Sequence, residues 1–135
     1  MSAHAAEEFI ADPWSEQGRT AIAKMVMRLF ERWKLSTAEQ LELLGLSPTS
    51  RNVLGRYRRG QPLPESRDAM DRAAYLLSIH KALRALYPEN PEIVYGWVKM
   101  RNRQFDNFTP LEVMKKDGLL GLAKIDWHLS ARLNH

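Results

Sequence analysis

Two four-residue phrases set most of the limits on what this chain can become: Ser36-Thr37-Ala38-Glu39 and Thr109-Pro110-Leu111-Glu112. Each puts a hydroxyl three residues before a glutamate. At that spacing the hydroxyl accepts from the glutamate's backbone N–H, and the carboxylate reaches back to the N–H of the hydroxyl residue. The arrangement belongs to the start of a helix. Pro110 suits the first helical position, where its missing N–H is no loss, and Asp117-Gly118 supplies a stop, because glycine tolerates the left-handed conformation that ends helices. Upstream, Trp97 and Phe105 flank a polar loop, and Phe108 stands where a hydrophobic staple residue precedes the cap. The spacing predicts a helix, an aromatic-anchored loop and another helix.

The rest of the chain carries the same grammar. Residues 1–17 lack periodicity and read as an acidic arm, with Phe9 and Trp14 as its apolar contacts. Ile22, Val26, Leu29, Phe30 and Trp33 recur at helical spacing, which predicts an amphipathic helix over Arg19–Lys34. Ser36 opens a short helix through Leu44 that Gly45 ends. The next helix begins near Ser47-Pro48 or Ser50 and runs to Gly60. Two short helices about a glycine-containing turn, the second one basic, outline a helix-turn-helix. Nine residues separate Gly45 from Leu54, so either the turn is longer than in the common repressor form or the recognition helix starts a turn early. After a linker at 61–63, Pro64 fits the first position of a long helix to Tyr87. There Met70, Ala74, Leu77, Leu83 and Leu86 make one core face, and Leu76 and Ile79 broaden it; an arc this wide contacts two bodies. Asn90 and Pro91 cap a helix through about Met100. The last helix, 119–133, carries Leu122, Ile125, Leu129 and Leu133 on one face. No run of four residues alternates as a strand requires, so the expected class is all-α.

Composition narrows function mainly by exclusion. There are no cysteines, so disulfides and thiol chemistry are out. No apolar run reaches the ~18 residues of a membrane span. The first sixteen residues hold four acids and no base, which argues against a secretory signal and makes a cytoplasmic protein the expectation. Catalysis finds no constellation: His4, His80, His128 and His135 form no paired ligand spacing, and Asp126 and His128, two apart on a helix, do not share a face. Gly118-Leu119-Leu120-Gly121 has an apolar interior where a phosphate-binding loop wants polar or basic residues. No enzyme activity, metal or cofactor is expected. Met25, Met27, Met70, Met100 and Met114 read as core filler, as do Trp33 and Trp97. Trp127 reads as an exposed anchor for a partner.

Net charge is +4, and its distribution says more than its sum. Residues 46–60 hold Arg51, Arg56, Arg58 and Arg59 and no acid, an electrostatic footprint for phosphate. Arg51, Asn52 and Arg56 are placed to reach base edges, since Arg pairs with guanine and Asn with adenine. Ser47, Thr49, Ser50, Arg58 and Arg59 suit phosphate and orientation. One small module reads DNA weakly, so a homodimer on two half-sites is expected.

Read together, Trp97, Asn102-Arg103, Phe105-Asp106, Thr109-Pro110-Leu111-Glu112-Val113, Gly118 and Gly121-Leu122 resemble the C-terminal domain of the Xre/MbcA/ParS antitoxin family. The likeness continues through Ile79–Arg84, Leu86-Tyr87-Pro88, Leu43–Ser47 and Arg56–Gly60, covering about residues 18–133. Asn107 stands where the family usually has glycine near Phe105-Asp106; Asn also tolerates positive φ, so the same turn is expected. The resemblance implies an Xre/Cro-like helix-turn-helix lobe (18–63) after the acidic arm (1–17), a connecting and dimerisation helix (64–88) and a small toxin-binding lobe (89–135). It implies partners too: operator DNA for autorepression, and a RES-domain toxin, a class of enzyme that consumes NAD. Inhibition would be occlusion of the toxin's cofactor pocket. Arg101, Arg103, Lys115, Lys116, Lys124 and Arg132 make the C-terminal lobe basic, and with Trp127 they are the expected toxin-binding residues. The alternative is a free-standing DNA-binding regulator whose C-terminal lobe dimerises or senses; a third class is an adaptor that never touches DNA.

Overall fold

Six α-helices build the described part of the chain, and most of their ends are fixed by hydrogen bonds that short sequence phrases specify. The computed structural model describes residues 12–134, so most of the acidic arm, with Phe9, His4 and His135, lies outside the described residues. The helices are α1 (Glu16–Arg32), α2 (Thr37–Leu43), α3 (Arg51–Arg58), α4 (Arg67–Leu86), α5 (Pro91–Gly96) and α6 (Pro110–Leu133), with single 3-10 turns at Pro48–Ser50, Trp97–Lys99 and Arg103–Phe105. No strand occurs among the described residues. Both capping boxes form. Glu39 N–H donates to Ser36 Oγ at 3.1 Å and Glu112 N–H to Thr109 Oγ1 at 3.0 Å, with the reciprocal carboxylate bonds at 2.9 and 2.8 Å. The Thr109 N–H bond, more than any other contact, holds the Glu112 carboxyl below its usual range.

Two helix starts differ from the sequence expectation. α1 opens at Glu16, three residues before the expected start at Arg19, because Ser15 accepts from Gly18 N–H at 3.0 Å. Pro64 does not open α4. Ser66 does, accepting from Ala69 N–H at 3.0 Å; a serine cap satisfies an end N–H, which a proline can only omit. The segment before it is no free linker. Leu63 is buried in the core, and Arg19 ties the stretch to α1 by donating to the Leu63 carbonyl at 2.7 Å and pairing with Glu65 at 3.2 Å.

α4 is the centre of the molecule. Ala73, Leu76, Ile79 and Leu83 have no exposed surface, and the helix packs on α1, α5 and α6. The core stripe is therefore 73/76/79/83, rotated from the expected 70/74/77 phase: Met70 is buried, but Ala74 is exposed and Leu77 and Leu86 are half-buried. Both phases satisfy a helical period, and contact with three neighbours selects between them. α2 also packs on α6 and α3 on α1, so the two lobes share one core.

Asp117-Gly118 makes a kink and not a loop. Gly118 takes φ 60, ψ −136 within α6, where the two halves meet without a gap. Gly121 completes the device, because a Cβ there would meet the Val113 carbonyl oxygen at 2.5 Å. The Gly118–Gly121 phrase is thus a packing hinge. On the far side of the kink Leu122, Ile125 and Leu129 are fully buried, while Leu133 is exposed. Asp126, beside them, is the buried charged residue of the described core.

The loop between α5 and α6 is held by rings. Trp97 stacks on His128 with centroids 6.3 Å apart, and Phe105 meets the same imidazole edge-on at 4.9 Å. Asp106 and Asn107 both take positive φ (55 and 67), so the turn expected from asparagine in place of glycine forms. Phe108 is exposed, with Lys116 Nζ 5.5 Å from its ring. Met100 is exposed as well and fills no core.

Two outcomes follow from this packing. Leu76→Ala should cost about 2–5 kcal/mol in chemical denaturation, and unfolding should remain a single transition, because both lobes bury surface against α4; separate transitions would refute a shared core. Burial, and then the Arg132 charge, push the His128 imidazole below its ordinary 6.5. The unfolded chain then binds more protons than the native one below that pH. Stability should accordingly fall as pH drops below 6.5 toward the lowered native value, and His128→Gln should flatten that slope.

Candidate nucleic-acid and partner-binding surfaces

α3 owes its orientation to two buried residues, Leu54 and Tyr57, which pack it against α1 and the core. A helix anchored on that side must turn its other residues outward. Arg51, Asn52, Arg56, Arg58 and Arg59 are all exposed. The long turn seen in the sequence is accounted for by the 3-10 turn Pro48–Ser50 inserted before α3. Ser47 and Thr49 hold that turn: Thr49 N–H donates to Ser47 Oγ at 3.2 Å, and the two hydroxyls lie 2.9 Å apart. Ser50 is the N-cap of α3, yet its hydroxyl makes no capping bond. The eight positions assigned to DNA therefore fall on one continuous turn-and-helix, 47–59.

Electrostatics set this surface apart. None of Arg51, Arg56, Arg58 and Arg59 has a carboxylate partner among the described residues. Four unneutralised guanidiniums within nine residues make a concentrated positive field. Beside them, α2 and the 3-10 turn enclose a hollow of about 340 Å³ floored by Ala38, Leu41, Leu46 and Pro48, with Glu42 and Arg51 at its rim.

The residues assigned to toxin binding are arranged differently. All are exposed, but most are engaged within the chain. Arg101 pairs with Glu112 at 3.7 Å and donates to the Asn107 carbonyl at 3.0 Å; Lys115 pairs with Glu39 at 3.8 Å and Lys124 with Asp117 at 3.2 Å. Arg132 lies 5.6 Å over the Tyr87 ring. Nor do they form one patch. Lys115 faces α2, whereas Arg101 and Arg132 line a cleft of about 330 Å³ with Trp97, His128 and Asn102.

Apolar exposure is what this lobe has in excess. Five of the six large exposed hydrophobic residues described, Met100, Phe108, Leu120, Trp127 and Leu133, lie between 100 and 133. Leu120 and Trp127, 55% and 56% exposed, are seven apart on α6 and share a face, with Lys124 between them. Trp127 was legible as an anchor from its type; Leu120 was not, because period alone places it within the reach of the core stripe. Among the described residues no group of acids and histidines is arranged to hold a metal ion, and no helix is long and apolar enough to cross a membrane.

Residues 19–78, from α1 through most of α4, match the family described as the antitoxin Xre-like helix-turn-helix domain. Over 123 residues the chain is 30% identical to the uncharacterized protein y4oB of Sinorhizobium fredii (strain NBRC 101917 / NGR234), a match covering 90% of this chain and 92% of that protein. The likeness thus runs through the C-terminal lobe as well. Residues 19–78 thus belong to the antitoxin Xre-like helix-turn-helix domain family, and the chain over nearly its whole length belongs to one family with y4oB.

Proposed function

We propose that the protein is the antitoxin of a type II toxin–antitoxin pair, with its two tasks on separate surfaces. The 18–63 lobe binds operator DNA through α3 and represses its own operon as a homodimer, with 64–88 as the connecting and dimerisation helix. The 89–135 lobe binds a RES-domain toxin and covers its NAD pocket. One observation carries this division: four arginines without a carboxylate partner cluster on 51–59, while five of the six large exposed hydrophobic residues described lie in the C-terminal lobe. Unpaired cations suit a phosphate backbone, whose affinity comes from counterion release. An exposed Trp flanked by Leu suits a protein partner, because large rigid apolar side chains carry most interface energy.

Charge has a smaller part in toxin binding than the count of Lys and Arg suggests. Arg101, Lys115 and Lys124 already face acids of their own chain, so their field outside the protein is weakened. We assign affinity to Trp127 and Leu120, and orientation to Arg103, Lys116 and Arg132.

Expressing the RES-domain protein should collapse cellular NAD and growth, and co-expressing this chain should restore both. Failure of rescue would favour a free-standing DNA-binding regulator. Trp127→Ala should weaken the toxin complex ~30-fold or more, as loss of a hot-spot residue does, and leave operator binding unchanged. Replacing Arg51 and Arg56 by Ala should do the reverse: operator affinity falls ~100-fold or more in a gel-shift titration, and neutralisation survives.

A further inference from the structure

α3 has an unusual residue at the middle of its exposed face. Leu54 and Tyr57 mark the buried side. The opposite side consists of Arg51, Asn52, Gly55, Arg56 and Arg59, which recur at i, i+1, i+4, i+5 and i+8 and so line one stripe. Gly55 is at its centre and has no side chain to offer. Its backbone is ordinary right-handed helix, so no turn or strain calls for glycine there, and glycine is the poorest helix former after proline. What occupies its space is Arg59. A Cβ built on Gly55 would lie 3.0 Å from Arg59 Nη1, 3.6 Å from Nη2 and 3.7 Å from Cζ. The guanidinium therefore rests on the bare backbone one turn back toward the helix N-terminus, the direction in which helical side chains lean.

We infer that Arg59 is a base-reading residue and that Gly55 is the positioning residue that seats it. The inference rests on the reading of α3 as the DNA-recognition helix, and it alters one assignment within that reading. From sequence order Arg59, at the end of the helix, belongs with Arg58 on phosphate. Seated over Gly55, its charge lies in the middle of the stripe, among Arg51, Asn52 and Arg56, where a groove-bound helix meets base edges. Arg58, two turns after Arg51, lies at the edge of that stripe nearest Leu54 and keeps the phosphate role. No carboxylate of the described residues holds Arg59 in place, so its seat is steric and depends on the missing Cβ. The same absence lets the α3 backbone approach the groove more closely than an alanine would allow.

Stability and recognition should therefore respond to Gly55→Ala with opposite signs. The clash is with the far end of a flexible side chain, so the free protein accommodates alanine by displacing Arg59. The test is selection of binding sites from a random duplex library by the full chain, followed by titrations on the selected site and its single-base variants, with thermal melting alongside. We expect G55A to melt ~2–5 °C higher, to bind the selected site ~10-fold or more weakly and to lose preference at one base pair. R59A should lose preference at that same base pair with little change in melting. R58A should weaken all sequences alike and reduce the salt slope by about one. If R59A weakens every sequence equally and keeps all preferences, or if G55A binds as the parent does, the assignment is overturned while α3 keeps its role. If the parent chain selects no sequence, the DNA-reading role of α3 falls and this assignment falls with it.

Discussion

The arrangement depends on burial of one helix by three others. α4 presents Ala73, Leu76, Ile79 and Leu83 with no exposed surface, and α1, α5 and α6 close over it. Just before that stripe, Arg72 occupies the junction of both lobes. It pairs with Asp68 at 2.9 Å and donates to the Leu43 carbonyl at the end of α2 at 3.4 Å. Its guanidinium comes within 2.7 Å of where a Cβ on Gly45 would be, and within 3.9 Å of one on Gly118. Both glycines take positive φ. One side chain thus fills the space left by the turn of the helix-turn-helix and by the kink of α6. A cation near the C-terminus of α2 is also favoured by the helix dipole.

This geometry keeps the two candidate surfaces apart on a small chain. α3 is fixed from behind by Leu54 and Tyr57, and its cations project away from the acids of the fold. The C-terminal lobe folds its cations back onto its own acids, Glu112, Asp117 and, across the lobe boundary, Glu39. Lys99 adds a further tie by donating to the Lys34 carbonyl at 2.8 Å, just past the end of α1, where Lys34 itself takes φ 56. The densest cluster of unpaired cations is left on α3 and most of the apolar exposure on the C-terminal lobe. Nucleic acid and protein partners ask for those two qualities separately.

Much of the fold was legible because its signals are local. Ser36 with Glu39 and Thr109 with Glu112 specify helix starts through bonds spanning three residues, and Gly45 and Gly118 mark ends or kinks through backbone freedom that neighbours cannot supply. The stripe Ile22–Trp33 named its core face, and a positive-φ turn at Asn107 followed from residue type. The arginine run of α3 named a candidate site before any geometry was known, because unpaired like charges in a short segment need no tertiary context to be noticed.

What tertiary structure decided lay wherever two local answers were equally good. Ala74 and Ala73 fit a helical period alike, and only contact with three neighbours chose the second. Pro64 read as a helix start, and the bond from Ala69 N–H to Ser66 Oγ moved the start past it. Lys115 and Lys124 counted as free charge until the fold brought Glu39 and Asp117 beside them. The sequence by itself determined which segments are helical, where the two capping boxes start a helix and which segment is basic, since these depend on interactions within a few residues. Which face is buried, which charges are cancelled and where Arg59 rests required the fold, because those answers depend on partners that are distant in the chain or on space that a neighbouring residue leaves empty.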